Sequence, residues 1–244
     1  MEINSSFNNE NLSLQHSLII SKIKDKIKDY QNLGKILSEL PNGSILVGGY
    51  IRDLVLNRLR PCPDIDVVIP KNSIEIGKNI AEKFSGKFLI LDQDRNIVRI
   101  IFRNFTVDIA SQTHELLAED LKSRDFTINS VGFSFNNEKL IDPAHGICDI
   151  NDSLLRSLRY ENLLDDPLRI LRCFRFVSEL NFHIEPRILE FIKLNKFRLK
   201  TVSPERIQYE LKRIVQGKEA LKTVESLNEI KIFDWIQSYE NNHS

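Results

Sequence analysis

The stretch Leu46–Pro70, LVGGYIRDLVLNRLRPCPDIDVVIP, leaves the chain around it few alternatives. Apolar Ile45, Leu46 and Val47 read as a short strand running into Gly48-Gly49, and a helical segment carrying Arg52 and Asp53 follows. After a loop holding Pro61 and Pro63 comes a second strand, Asp64-Ile65-Asp66-Val67-Val68-Ile69. Side chains alternate faces along a strand, so Asp64 and Asp66 share one face while Ile65 and Val67 turn into a core. Paired glycines let backbone N–H groups approach an anion, and neighbouring carboxylates offer the hard oxygens that magnesium prefers. The stretch is therefore a candidate seat for metal and phosphate; a polar strand face behind a turn is the alternative use of the same residues.

At 244 residues the chain can bury a core and hold one domain or two small ones. Its 34 basic and 34 acidic residues cancel, so no global charge attracts nucleic acid, which leaves a local basic groove as the remaining route. Cys62, Cys148 and Cys173 are widely spaced and form no CxxC pair; they read as reduced cytosolic thiols rather than a disulfide framework or zinc site. No apolar run reaches membrane-spanning length and the start lacks a basic-then-apolar signal, so a soluble, cytoplasmic protein without a membrane partner is expected.

Met1 to about Gln15 is rich in Asn and Ser and reads as a frayed tail. Leu18–Leu40 carries apolar residues at helical spacing, predicting an amphipathic helix broken at Gly34 and ended by Pro41-Asn42-Gly43. A helix over Ser73–Phe84, with Ser73 as N-cap, precedes strand-like pieces at Lys87–Leu91, Ile97–Phe102 and Phe105–Ala110. On the last of these Asp108 has its apolar neighbours on the opposite face, so it is a candidate to join Asp64 and Asp66 as a third carboxylate. Three carboxylates can hold two metal ions that activate a hydroxyl and steady a leaving pyrophosphate. A short helix over Glu115–Leu121 and a strand at Val131–Phe135 follow.

Between them, Arg124 suits a phosphate, Asp125 can accept from a ribose hydroxyl, and Asn129 can bond ligand or backbone. From Asp165 onward the pattern is helical: Asp165-Asp166-Pro167 as a helix start with a carboxylate at the N-cap and Pro in the first turn, an apolar seam from Leu168 to Leu180, and a stripe of Arg169, Arg172 and Phe176 with Arg175 beside it. Helices over Glu185–Leu194, from Ser203, and over Ala220–Ile236 complete the pattern. Arg187, Lys193, Lys196, Arg198 and Lys200 form a basic run that suits either an RNA backbone or a solvated face.

LVGGYIRD followed by DIDVV resembles the signature of the polymerase-beta-type nucleotidyltransferases, in the branch of class II tRNA nucleotidyltransferases (CCA-adding enzymes) and bacterial poly(A) polymerases. SRDFTIN, Ser123–Asn129, is similar to the family's RRDFTxN block with Ser123 replacing the first Arg. Asp142-Pro143 with Gly146 and Asp149 is similar to its hinge. DDPLR, Asp165–Arg169, resembles the EDxxR motif with Asp165 where Glu is usual, and Glu205-Arg206 with Glu210 resembles the structural ERxxxE element. The blocks stand in the family's order from about Ile45 to Glu210.

The resemblance implies an α+β protein: a small mixed α/β nucleotidyltransferase head, antiparallel-rich, over residues 17–150, after a disordered tail at 1–16 and before an all-helical neck at 151–244. It implies transfer of C and/or A from CTP or ATP to the 3′ end of tRNA, with Mg2+ on Asp64, Asp66 and Asp108. Gly48, Gly49 and Arg52 would hold the triphosphate, Arg124, Asp125, Asn129 and Arg172 the nucleotide, and Asp166 with Arg169 would read the base edge. The link after Asp108 is shorter than the family's flexible loop, a shortening that goes with enzymes adding only the two cytidines. Family members also continue through body and tail domains beyond the last block, so a partner chain supplying extra RNA grip is an expectation here. A poly(A) polymerase acting on other RNAs, or a non-catalytic RNA-binding relative, are the alternatives.

Overall fold

The computed structural model describes residues 3–114 and 117–235, with side chains from residue 13 onward. It divides into two compact units. The first runs to Leu121 and takes up Asn129–Ile147 as well; the second combines Lys122–Ile128 with the chain from Cys148 onward.

In the first unit α1 (Ile3–Lys28) and α2 (Leu33–Ser38) lead to β1 (Ile45–Val47), α3 (Gly49–Val55), β2 (Asp64–Ile69) and α4 (Ser73–Phe84). The meander β3 (Lys87–Asp92), β4 (Ile97–Ile101) and β5 (Thr106–Ser111) follows, then α5 (Leu117–Lys122), β6 (Gly132–Ser134) and β7 (Lys139–Ile141), while α6 (Gly146–Asn151) starts in this unit and belongs to the second from Cys148 onward. The seven strands form one sheet in the order β3-β4-β5-β2-β1-β6-β7, antiparallel throughout except for the parallel β2–β5 pair. One sheet face buries Ile65, Val67, Val98, Ile100, Val107 and Ile109 against α1, α3 and α4. Period-two alternation thus does what the sequence foretold: the apolar partners of Asp64, Asp66 and Asp108 fill the core, which obliges the carboxylates to face the other way.

Three local expectations change. The segment read as a frayed tail is helical from Ile3, because the periodic run from Leu18 propagates a helix back through residues of weak intrinsic preference, with the Ser17 hydroxyl donating to the Ser13 carbonyl. The helix over Leu18–Leu40 breaks at Asn32, in the left-handed conformation at φ 68°, rather than at Gly34. Asn tolerates that region and can end one helix where another begins. The α4 cap position is Asn72; Ser73 instead gives its hydroxyl to the Asn96 carbonyl and its N–H to Ser111 Oγ.

The second unit holds β8 (Leu154–Leu155), α7 (Tyr160–Asp165), α8 (Leu168–Leu180), β9 (His183–Ile184), α9 (Pro186–Asn195), α10 (Pro204–Val215) and α11 (Ala220–Glu229), with a 3-10 segment at Lys196–Thr201. It is helical apart from the short parallel β8–β9 ladder. Helix α8 is its spine, packed against α10 and α11, and it buries Ile170, Leu171, Phe174 and Phe176. Phe126, fully buried, meets Phe176 edge to face with ring centroids 5.7 Å apart. The last expected helix ends at Glu229 rather than continuing through Ile236, and residue 236 lies outside the described residues. Glu115, where the short helix before Leu121 was expected to start, also lies outside them, and α5 itself begins at Leu117.

Candidate active site

Strand register builds the group of candidate residues in the first unit. Asp66 on β2 lies directly opposite Asp108 on β5, and Asp64 opposite Thr106. Asp64, Asp66 and Asp108 therefore share the sheet face away from the core, as the alternation required. Thr106 Oγ1 donates to Asp64 Oδ1 at 2.5 Å. Arg99 on β4 is the register partner of Asp108 on the far side of β5, and sequence reading missed it. Its Nε and Nη2 donate to the two Asp108 oxygens at 2.7 Å each, a fork-on-fork pair. That hydrogen bonding, with the charges of Asp108, Asp64 and Asp66, raises the guanidinium pKa despite partial burial.

β1 delivers the chain to Gly48, whose φ of 77° and ψ of −140° suit only glycine, and α3 begins at Gly49 immediately after. Arg52 on α3 is buried; its Nε donates to Asp53 Oδ1 at 2.9 Å and its Nη1 to Asn129 Oδ1 at 2.6 Å. Arg52 and Asn129, 77 positions apart, are thus brought together in the first unit. As for metal, among the described residues no group of three or more His, Cys, Asp or Glu has metal-holding geometry. The Asp64 and Asp66 pair does fit a divalent cation in its chemistry: two hard oxygen donors two residues apart on one strand, at least partly open to solvent.

A second group of candidate residues lies within the helical unit. The Ser123–Asn129 block divides, with Arg124 and Asp125 belonging to the second unit and Asn129 to the first. Asp125 is buried, its Oδ1 accepting from its own neighbour's N–H at Phe126 and its Oδ2 from Arg172 Nε at 2.9 Å and Nη2 at 2.5 Å. Burial works against the Arg172 charge, but Asp125 outweighs it and the pKa rises. The residue expected to meet a ribose hydroxyl is thus engaged with protein, as the anchor of the Arg172 guanidinium. Arg169 Nη1 donates to the carbonyls of Ser123 at 3.0 Å and Asn162 at 3.1 Å. Burial lowers its pKa, while Asp125 and Asp166 oppose the shift.

Asn162, buried on α7 and unflagged by any motif, donates to the carbonyls of Lys122 and Arg124 and so ties the Ser123–Asp125 loop to the helices. Only a buried amide amid apolar neighbours could have signalled it. Arg124 keeps a buried Nε without an acceptor among the described residues.

Asp165 does not cap α8: it ends α7, and Asp166 accepts from the Leu168 N–H at 3.3 Å instead. The extra helix α7 uses Asp165 as its last residue and shifts the turn by one position. The other Asp166 oxygen accepts from Arg206 Nη2 at 2.9 Å. At the hinge block, Asp142 accepts from the N–H groups of Gly146 and Ile147 and so caps the local backbone, whereas Asp149 is buried and bonds side chains, Thr127 Oγ1 and a forked Arg156. In the basic run, Lys200 lies over the Trp235 ring at 4.2 Å and Arg198 near the Phe197 ring at 5.9 Å, so these cations interleave with aromatic faces.

A sheet of this order, a glycine turn and an acidic face on β2 define a nucleotidyltransferase head, and the helical unit carries the matching arginine stripe. Residues 44–156 match the family described as poly A polymerase head domain, and residues 181–239 the one described as probable RNA and SrmB-binding site of polymerase A. The chain belongs to this family of tRNA nucleotidyltransferases and bacterial poly(A) polymerases. It is 40% identical over 174 residues to a CC-adding tRNA nucleotidyltransferase of Synechocystis sp., a match covering 71% of this chain and 42% of that protein. It is 28% identical to an A-adding tRNA nucleotidyltransferase of Halalkalibacterium halodurans over 93% of this chain and 57% of the relative. A CCA-adding enzyme solved in complex with ATP superposes with a TM-score of 0.76 at 27% identity, over 90% of this chain and 55% of that one. The chain thus spans about half the length of the relatives it matches. Those relatives are enzymes by their names, and none of the described helices here is long and apolar enough to cross a membrane.

Proposed function

We propose that this chain is a tRNA 3′-end nucleotidyltransferase that takes CTP, and ATP where its range extends to A, and transfers the nucleoside monophosphate to the terminal 3′-hydroxyl with release of pyrophosphate. The observation that carries this reading is the placement of Asp64 and Asp66 on one partly open face of β2, where β1 pairs Val47 with Asp66 and so brings the Gly48 turn alongside. The carboxylates of Asp64 and Asp66 would hold a divalent cation such as Mg2+, which when bound supplies charge stabilisation to the triphosphate and a lowered pKa to the attacking hydroxyl. The Gly48-Gly49 turn offers backbone N–H groups to phosphate oxygens, and Arg52, already fixed by Asp53 and Asn129, adds positive charge there without an ordering cost at binding.

In the helical unit, Asp166 and Arg169 are the proposed base readers. A carboxylate accepts from the exocyclic amine that C and A share, and a guanidinium donates to the ring acceptors. Arg206 and the carbonyls of Ser123 and Asn162 hold those two side chains in place. Asp125 holds Arg172, and Arg124 with its unpartnered buried Nε is the residue left to take a phosphate. The basic and aromatic face around Arg198, Lys200 and Trp235 suits an RNA strand through charge and stacking. C addition is favoured by the likeness to a CC-adding relative and by the few residues between Ser111 and Leu117. A cytoplasmic location, and a partner chain that adds RNA grip, belong to the same reading.

Primer extension with Mg2+ tests it. The substrates are tRNA ending at the discriminator base, at one C and at two Cs, each with CTP, ATP or both. The expected outcome is a defined addition of one to three nucleotides, lost on Asp64→Ala and on chelation with EDTA and restored by added Mg2+. Long A tails point to poly(A) polymerase instead, and no incorporation on any RNA, together with no nucleotide binding, overturns the enzymatic reading.

A further inference from the structure

The row Arg99–Asp108–Asp66 crosses three neighbouring strands at one level, β4, β5 and β2 in that order. Neighbouring strands lie about 4.8 Å apart, so Asp108 stands one strand from Asp66 and Arg99 stands about twice as far off on the opposite side. Asp108 gives both oxygens to Arg99, so its carboxylate is drawn toward β4, away from Asp66. Asp64 is braced in the other sense, by Thr106 of β5. The Asp108 side chain is 16% exposed and that of Arg99 35%, so water screens the pair only in part. A forked, partly shielded arginine–carboxylate pair is a strong competitor for a ligand oxygen.

We infer that Asp108 is a positioning residue rather than a metal ligand: it seats Arg99 as the fixed counter-charge of the acidic face, and the divalent cation rests on Asp64 and Asp66 alone. The inference rests on the metal site proposed above. Three carboxylates on adjacent strands repel one another, and like charges placed directly opposite destabilise a sheet. Arg99 offsets one of the three charges, which lets the acidic face form before any cation arrives. Removing Arg99 would undo both effects at once, freeing the Asp108 oxygens and making the face more negative.

Binding of Mn2+ to the full chain, followed by electron paramagnetic resonance of the free ion, tests this without a catalytic readout. The decisive variant is the double replacement R99Q/D108N, which conserves net charge and leaves two amide side chains able to bond across β4 and β5. It is expected to bind Mn2+ within about threefold of the wild type, since paired substitutions isolate the ligand role from the charge. A loss of about tenfold or more in the double variant overturns the inference, because the charge is unchanged and only a ligand has gone. R99Q alone is expected to bind Mn2+ at least about fivefold more tightly, and an unchanged affinity overturns the inference even if the double variant fails to fold. The D64N/D66N chain separates the underlying reading. If it retains wild-type Mn2+ affinity, or the wild type binds none, the metal site itself fails and this inference with it.

Discussion

Arg175 and Glu210 lie almost wholly inside the second unit, 5% and 2% exposed, and meet at 3.0 Å. Burial pulls the Arg175 pKa down to about 10 and pushes that of Glu210 up, so both charges are held against their solvation. Arg175 Nε and Glu210 Oε2 find no acceptor or donor among the described residues, although the guanidinium also lies 4.6 Å from the Phe176 ring centre. A pair of this kind contributes little net stability, yet losing one partner strands the other. Glu210→Ala is therefore expected to cost about 3–5 kcal/mol in urea unfolding, while the double change of Arg175→Met and Glu210→Leu is expected to be neutral or stabilising. A small loss in the single variant would mean that Arg175 finds another partner or water. The resemblance marked Glu210 and Arg206 as parts of a structural element, but the sequence only set Arg175 beside the stripe of Arg169, Arg172 and Phe176. Helical periodicity gives the angle of a side chain around its own axis and says nothing of the helix that will cover it.

At the scale of elements, α8 and α10 approach so closely that chemistry is left little room. Ser178 Oγ on α8 donates to the Ile214 carbonyl at 2.6 Å, and a Cβ added to Gly217 would fall 2.1 Å from that oxygen and 2.7 Å from the Ser178 carbonyl. Part of the obstacle is backbone, which a rotamer change cannot relieve. Gly217→Ala is expected to destabilise by about 1–3 kcal/mol through overpacking, read as a lowered midpoint in denaturant with an unchanged slope. Ser178→Ala together with it should recover only part, since the carbonyl stays. Strand and helix positions were read closely from the sequence, as α4 and β2 show, because each carries a period in its own residues. Which of Asp165 and Asp166 would meet the start of α8 was not, because the position of the turn depended on α7, a six-residue helix too short to leave a periodic trace.

For the whole molecule, the expected boundary at residue 150 leaves out a segment that the second unit takes from earlier in the chain. Lys122–Ile128 belongs with the helices, bringing Phe126 to Phe176 and Asp125 to Arg172. A fragment beginning at Cys148 lacks both and is expected to show no cooperative thermal transition by circular dichroism, whereas one beginning at Lys122 is expected to keep one. Removing a fully buried Phe side chain alone costs about 3–5 kcal/mol, a large share of the stability of a unit this size. Equal transitions in the two fragments would show that the helices stand without the segment.

By itself the sequence determined which residues share a face. Alternation put Asp64, Asp66 and Asp108 opposite the apolar core, and the apolar seam of α8 put Arg169 and Arg172 outside it, because both patterns are local and repeat within a few residues. Only the tertiary structure decided what each charge would meet. Arg99 faces Asp108 because β4 pairs with β5 in one register, Asn129 reaches Arg52 across 77 positions, and Arg206 finds Asp166 across 40. Such partners are set by which elements become neighbours, and no periodicity in the chain records that.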